Sequence, residues 1–375
     1  MIANWTRQTP GTLSLGQGMV SYPPPDAAMQ AALEFGRLAE NHLYGSPLGH
    51  PKLLAMIQTK LRQDNHICDQ AYQVMVTAGS NMAFLNIIMA ISDPGDEIIL
   101  PLPYYFNQEM AIQMLGCVVV PVPVGEDYQL DLPALQAAIT EKTRAIVTVS
   151  PNNPSGAVYR ENDLRAVNAL CQQRGLYHIS DEAYEYFTYE GAAHFSPASL
   201  ADANGHTISL YSLSKAYGFA SWRLGYAVFP EALLPAMLKI QDTNLICPPA
   251  ITQVAAIGAL AAGADYCRQQ LPALALTRRH LLQQLQTIAD ICQVQATTGA
   301  FYLLLKIRTS LSDLELAESL IKQYQVAAIP GCAFGLQGDC YLRISYGMLS
   351  PTQAGEAVQR LITGLLGLCR KNPAT

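Results

Sequence analysis

The chain has 375 residues, half of them hydrophobic and only 14% charged, with a formal net charge of -6. That length exceeds one simple core and predicts a large domain plus a smaller one; the low charge excludes a disordered chain and favours an oligomer. No basic run or acidic tail supplies a footprint for nucleic acid or an anionic membrane, so neither is an expected partner and small-molecule chemistry becomes the leading expectation.

The start, Met1-Ile2-Ala3-Asn4-Trp5-Thr6-Arg7, lacks the basic stretch and apolar core of an export signal. Nine cysteines, odd in number, scattered and never spaced C-x-x-C, argue against a disulfide framework or a zinc site and fit a reducing cytoplasm. From about residue 70, β-rich runs at 74–77, 97–100, 118–120, 145–149, 176–179, 207–210 and 225–228 alternate with helical stretches. Such alternation predicts an α/β domain whose largely parallel sheet is covered on both faces, with ligand chemistry at the strand C-terminal ends. Helices are expected over 81–91, stopped by Ser92-Asp93-Pro94-Gly95-Asp96, and over 163–174, stopped by Gly175. The apolar stretch 245–264 is cut below spanning length by Pro248-Pro249, Thr252 and Gln253, and reads as a turn before a buried or interfacial helix.

Beyond residue 275 a helix over 277–289, an apolar run over 300–305, a helix over 313–323 and a terminal helix over 352–367 predict a smaller α+β domain. The N-terminal segment is expected to rejoin it. The resulting division is residues 1–43 with the small domain, 44–275 as the large domain and 276–375 as the small domain.

Four segments carry chemistry-bearing residues. After the run 207–210, Ser212 and Ser214 bracket Lys215, and Arg223 follows eight positions later. Asp181 and Tyr184 follow the run 176–179, where Asp181 alone reads as a helix N-cap. Asn153 lies in Ser150-Pro151-Asn152-Asn153-Pro154-Ser155-Gly156, which alone reads as a turn. Gly79, Ser80 and Asn81 join another strand to a helix, where free N–H groups and the helix dipole suit a phosphate.

In this order and at these spacings the segments resemble the fold-type-I pyridoxal-phosphate (PLP) enzymes, and the chain looks like a class I/II aminotransferase from Gly16-Gln17-Gly18 to Arg343. The resemblance implies an α/β large domain with a mostly parallel mixed sheet between helices, plus a smaller α+β domain. It implies that Lys215 holds PLP as an internal Schiff base and moves the proton at the substrate Cα, its amine pKa lowered by desolvation and nearby positive charge. Asp181 is implied to lie against the pyridine nitrogen. Tyr184 and Asn153 are implied to bond the phenolic oxygen, with a cis bond after Asn153.

The phosphate falls to Gly79, Ser80, Asn81, Ser212, Ser214 and Arg223, a dianion neutralised without metal. Tyr105 matches the aromatic that stacks on the pyridine ring. Tyr44 matches a residue reaching the phosphate of a neighbouring subunit, which implies a homodimer with shared sites. Arg343 sits in an apolar run where an unpaired guanidinium is costly, and its family position forks onto the substrate carboxylate, with Gly18 and Asn153 beside it.

Relatives that favour aspartate place a lysine where this chain has Asn81, or an arginine near Asn244, Ile246 and Cys247. Their absence, with an aromatic lining expected from Tyr22, Tyr104, Tyr105 and Phe106, leans towards an aromatic amino acid or methionine as donor and a 2-oxo acid as acceptor, in a ping-pong reaction. The segments 14–25 and 103–116 also resemble a plant-type subgroup of aromatic and methionine aminotransferases. Two other readings stand beside this one: a carbon–sulfur β-lyase of the same fold, and a non-catalytic PLP-binding sensor.

Overall fold

The computed structural model describes residues 1–37, 39–68 and 72–373. After the two-residue β1 (Leu13–Ser14) come β2 (Tyr72–Thr77), β3 (Glu97–Pro101), β4 (Val118–Val122), β5 (Thr143–Val149), β6 (Tyr177–Asp181), β7 (Thr207–Ser212) and β8 (Gly225–Pro230). These last seven form one sheet in the order β2-β8-β7-β6-β5-β3-β4. The strands β3 to β7 are parallel, while β8 runs antiparallel to both β7 and β2. The seven expected runs agree with these strands to within two residues at each end.

Alternate side chains of the central strands feed two layers, as the pleat requires. Ile98 and Leu100 of β3 enter a core with Phe84 and Ile87 of helix Ser80–Ile91 and Ile112 of helix Phe106–Met114. Ile99, between them, enters the opposite core with Leu164, Val167 and Cys171 of helix Glu161–Arg174. That helix ends where expected, on Gly175 in the left-handed conformation at φ 67°.

The C-terminal part holds β9 (Cys292–Val294), β10 (Tyr302–Ile307), β11 (Val326–Ala327), β12 (Ile329–Pro330) and β13 (Cys340–Ser345). Four of these make an antiparallel sheet in the order β12-β13-β10-β9, and β11 pairs in parallel with β1. Helices Asp313–Tyr324 and Pro351–Cys369 pack here, each opened by a reciprocal capping box, at Ser312 with Glu315 and at Ser350 with Gln353.

Two boundaries differ from expectation. The helix expected from 277 begins at Leu271, because Pro272 falls in its first turn, where a missing N–H costs nothing. The strand expected from 300 begins at Tyr302, because Ala300 adopts φ 52°, outside the extended region.

The stretch after Pro248-Pro249 forms helix Ala250–Ala261, buried along Ala255, Ala256 and Ala259. It packs against helix Asp26–Glu34 so closely that a Cβ on Gly258 would stand 2.3 Å from the Ala27 carbonyl oxygen, which only glycine permits. Among the described residues no single helix is long and apolar enough to cross a membrane.

Candidate active site

The sheet register brings the predicted residues to one edge. Val149 pairs with Asp181, Ser212 with Gly225, and Thr77 with Gly225, so the loops following β5, β6, β7 and β2 open at the same end. There a cavity of about 120 Å³ is lined by Ser80, Asn81, Tyr105, Asn153, Asp181, Tyr184, Ser212, Ser214, Lys215 and Arg223. A second cavity of about 410 Å³ shares Tyr105, Asn153, Tyr184 and Lys215 and adds Gly18 and Arg343. Gly79 stands behind the first, with φ 87° and the Arg223 Nη2 atom 2.4 Å from where a Cβ would be. Only glycine lets that guanidinium close on the start of helix Ser80–Ile91. Tyr44 lies outside both cavities and is 83% exposed.

Lys215 belongs to the short helix Leu213–Ala216, whose N-cap Ser212 Oγ accepts from the Ser214 N–H at 3.2 Å. The Lys215 amine donates to the Gly18 carbonyl oxygen at 2.6 Å. Burial, then the charges of Arg223 and Arg343, push the amine pKa down to about 8, against the pull of Asp181.

Asp181 is moved the other way, up to about 6, chiefly by burial. The Ala183 N–H on its Oδ1 at 3.2 Å and the Gln108 side chain donating to its Oδ2 at 2.9 Å oppose that rise. Its carboxylate is thus positioned by neutral donors and makes no ion pair among the described residues.

Asn153 links the two cavities. Its amide donates to the Tyr184 hydroxyl at 3.3 Å, and its Oδ1 accepts from Arg343 Nη1 at 2.9 Å. The Asn153–Pro154 bond is cis, as expected. Arg343, buried in β13, gives its Nη2 to the Gly16 carbonyl at 2.6 Å and lies 4.6 Å over the Tyr302 ring and 5.1 Å over Phe334. Its Nε is buried without a hydrogen-bond partner, and the residue lines the larger cavity, where its guanidinium suits an anion.

Three residues have functions that the sequence reading missed. Gln108 holds Asp181, and its i+3 spacing from Tyr105 on helix Phe106–Met114 was the available signal. Tyr302 bonds the Tyr184 hydroxyl at 2.7 Å, but in sequence it is one apolar position in a strand-like run. Tyr22 does not line the cavity as expected; its hydroxyl donates to the Lys215 carbonyl at 2.7 Å and so anchors the lysine backbone. Tyr104 is also displaced from the expected lining, packing its ring against Gly335, while Phe106, Met110, Ile329 and Ala333 form the apolar walls.

The donor set specifies the kind of group it fits. A partly neutral lysine amine suits a carbonyl, a buried carboxylate without a cation suits a basic ring nitrogen, and Arg223 over a glycine-opened helix start suits a phosphate. Residues 10–361 match the family model of aminotransferase class I and II.

The chain belongs to the class I and II aminotransferases. An aromatic aminotransferase of Arabidopsis thaliana is 33% identical over 362 residues, covering 94% of this chain and 89% of the relative. A probable aspartate/prephenate aminotransferase of Aquifex aeolicus is 33% identical over 358 residues, covering 93% of this chain and 90% of its own. The solved structure of an aromatic aminotransferase from Pyrococcus horikoshii superposes with a TM-score of 0.90 at 31% identity, over 99% of this chain and 100% of the other. The aminotransferase is therefore a PLP-dependent transaminase of the fold-type-I architecture, acting between an amino acid and a 2-oxo acid.

Proposed function

We propose that this aminotransferase takes the amino group of an aromatic amino acid or methionine and passes it to a 2-oxo acid in two half-reactions. The observation that carries this reading is the composition of the larger cavity. Arg343 lines it together with apolar Phe106, Met110, Ile329 and Ala333. An α-carboxylate on Arg343 leaves a neutral, large side chain against those walls.

Each residue then has a definite task. Gly79, Ser80, Asn81, Ser212, Ser214 and Arg223 would hold the PLP phosphate, Tyr105 its ring face, and Asp181 its ring nitrogen, with Tyr184 and Asn153 at the phenolic oxygen. Bound PLP supplies the electron sink for charge left on the substrate Cα. Lys215 removes the Cα proton and returns it on the other side of the reacting system, a task suited to an amine whose pKa of about 8 lies near working pH. Arg343, fixed by Asn153 and Gly16, orients the α-carboxylate so that the Cα–H faces Lys215. Tyr22 and Gly18 keep the lysine backbone and amine in register for that transfer.

Three further readings belong to this proposal. The return of the N-terminal segment to the small domain in the division at 43/44 and 275/276 is supported by the pairing of β1 with β11 and by the separate four-stranded sheet, while helix Leu271–Leu285 runs across 275/276 and helix Asp26–Glu34 packs on the large domain. A homodimer is supported by exposed Leu43, Tyr44 and Ile246, with Gly45 beside Cys247, a patch that a second copy would cover. All nine cysteines are free, which supports the cytoplasm as the compartment.

A steady-state comparison of donors tests the proposal. Phenylalanine, tyrosine, tryptophan and methionine are expected to give kcat/KM values at least about 10-fold above aspartate, roughly the gap that an unpaired distal carboxylate produces. A strong preference for aspartate would sink the reading.

A further inference from the structure

The larger cavity is lined by an anion, Glu109, as well as by the cation Arg343. Helix Phe106–Met114 lays Phe106, Glu109 and Met110 along one wall, with Glu109 three residues after Phe106 and four after Tyr105. Arg343 stands among the lining residues contributed by the C-terminal sheet. The Glu109 carboxylate is held at its post: the Gln113 amide donates to its Oε1 at 3.3 Å, and the buried Tyr104 hydroxyl also bonds to it. Among the described residues lining this cavity, the only basic side chains are Arg343 and Lys215, and the Lys215 amine is committed to the reaction.

A donor whose α-carboxylate takes Arg343 therefore places its side chain in a cavity whose lining also presents a carboxylate. Such a lining repels a second carboxylate and accepts a hydrogen bond from an O–H or N–H. We infer that Glu109 is a specificity-determining residue of this aminotransferase. It rejects dicarboxylic amino donors and favours neutral donors bearing a side-chain hydrogen-bond donor, such as a phenol O–H or an indole N–H. This inference deepens the aromatic-donor reading and rests on the same placement of the α-carboxylate.

The test uses the PLP-loaded full chain and the variants Glu109→Gln and Glu109→Ala, with phenylalanine, tyrosine and glutamate as donors. Phenylalanine is the reference because its side chain has neither charge nor donor. In Glu109→Gln the kcat/KM ratio of glutamate to phenylalanine is expected to rise about 10-fold, mostly through KM, since only the anion is removed. In Glu109→Ala the ratio of tyrosine to phenylalanine is expected to fall about 5-fold, since the acceptor itself is lost. Ratios unchanged within about 2-fold in both variants overturn the inference. The wild-type preference between phenylalanine and glutamate judges the aromatic-donor reading separately, because the Glu109 result is read from changes in the ratios.

Discussion

Replacing Lys215 by alanine is expected to lower kcat for transamination by about 10⁴ or more, because one substitution removes both the covalent anchor for PLP and the base at the substrate Cα. The fold should survive. Lys215 is the third residue of a four-residue helix whose cap is made by Ser212 and whose backbone is pinned by Tyr22, and neither contact uses the Lys215 side chain. The phosphate cradle formed around Arg223 and Gly79 also remains, so PLP should still bind, but without a borohydride-reducible link to the protein. A reducible link in the alanine variant would show that a different lysine carries the cofactor.

The intact lysine has a pH signature. A pKa of about 8 leaves about a quarter of the Lys215 amines neutral at pH 7.5, against about one in a thousand for an ordinary lysine. Only the neutral amine attacks a carbonyl. The rate of covalent PLP attachment to the apoprotein should thus rise with pH to a midpoint near about 8, and a midpoint above about 10 contradicts the desolvated, Arg223-flanked setting.

Substituting Asp181 by asparagine is the second large effect, with kcat expected to fall about 10³-fold while PLP stays bound. The change keeps the shape and leaves Gln108 a partner oxygen, but it removes the one negative charge available to a protonated ring nitrogen in a buried site. Breaking such a buried pair by deleting one charge costs about 3–5 kcal/mol, which spans the expected loss. A measured kcat within 10-fold of wild type, with cofactor retained, would mean that Asp181 does not face the ring nitrogen.

How far these sites could be read in the sequence depended on how local their signals were. Strands β2 to β8 announce themselves through short runs of β-branched residues, and Gly175 stops its helix by a conformation that only the local chain dictates. Asn153 and Lys215 follow strand ends and Asp181 closes one, where a parallel sheet must place its chemistry, whereas Arg223 was legible only by its spacing from Lys215.

The missed residues act across the fold. Tyr302 lies 118 positions from the Tyr184 hydroxyl it bonds, and Tyr22 lies 193 positions from the Lys215 carbonyl. No periodicity within a window reports such pairs. Tyr104 and Tyr105 are neighbours in sequence, yet only Tyr105 faces the cavity, because Tyr104 packs away from it against Gly335. Counting aromatics in a segment therefore overstated the lining, and helix Phe106–Met114 supplied Glu109 and Met110 to the wall as well.

The most direct measurement of the central claim is a single-turnover reaction of the PLP-loaded enzyme with phenylalanine and no acceptor. The account predicts one equivalent of the matching 2-oxo acid per active site, loss of the cofactor's carbonyl-form absorbance, and its return on adding a 2-oxo acid. Continuous turnover with release of ammonia, or no 2-oxo acid from any amino acid tried, would contradict it.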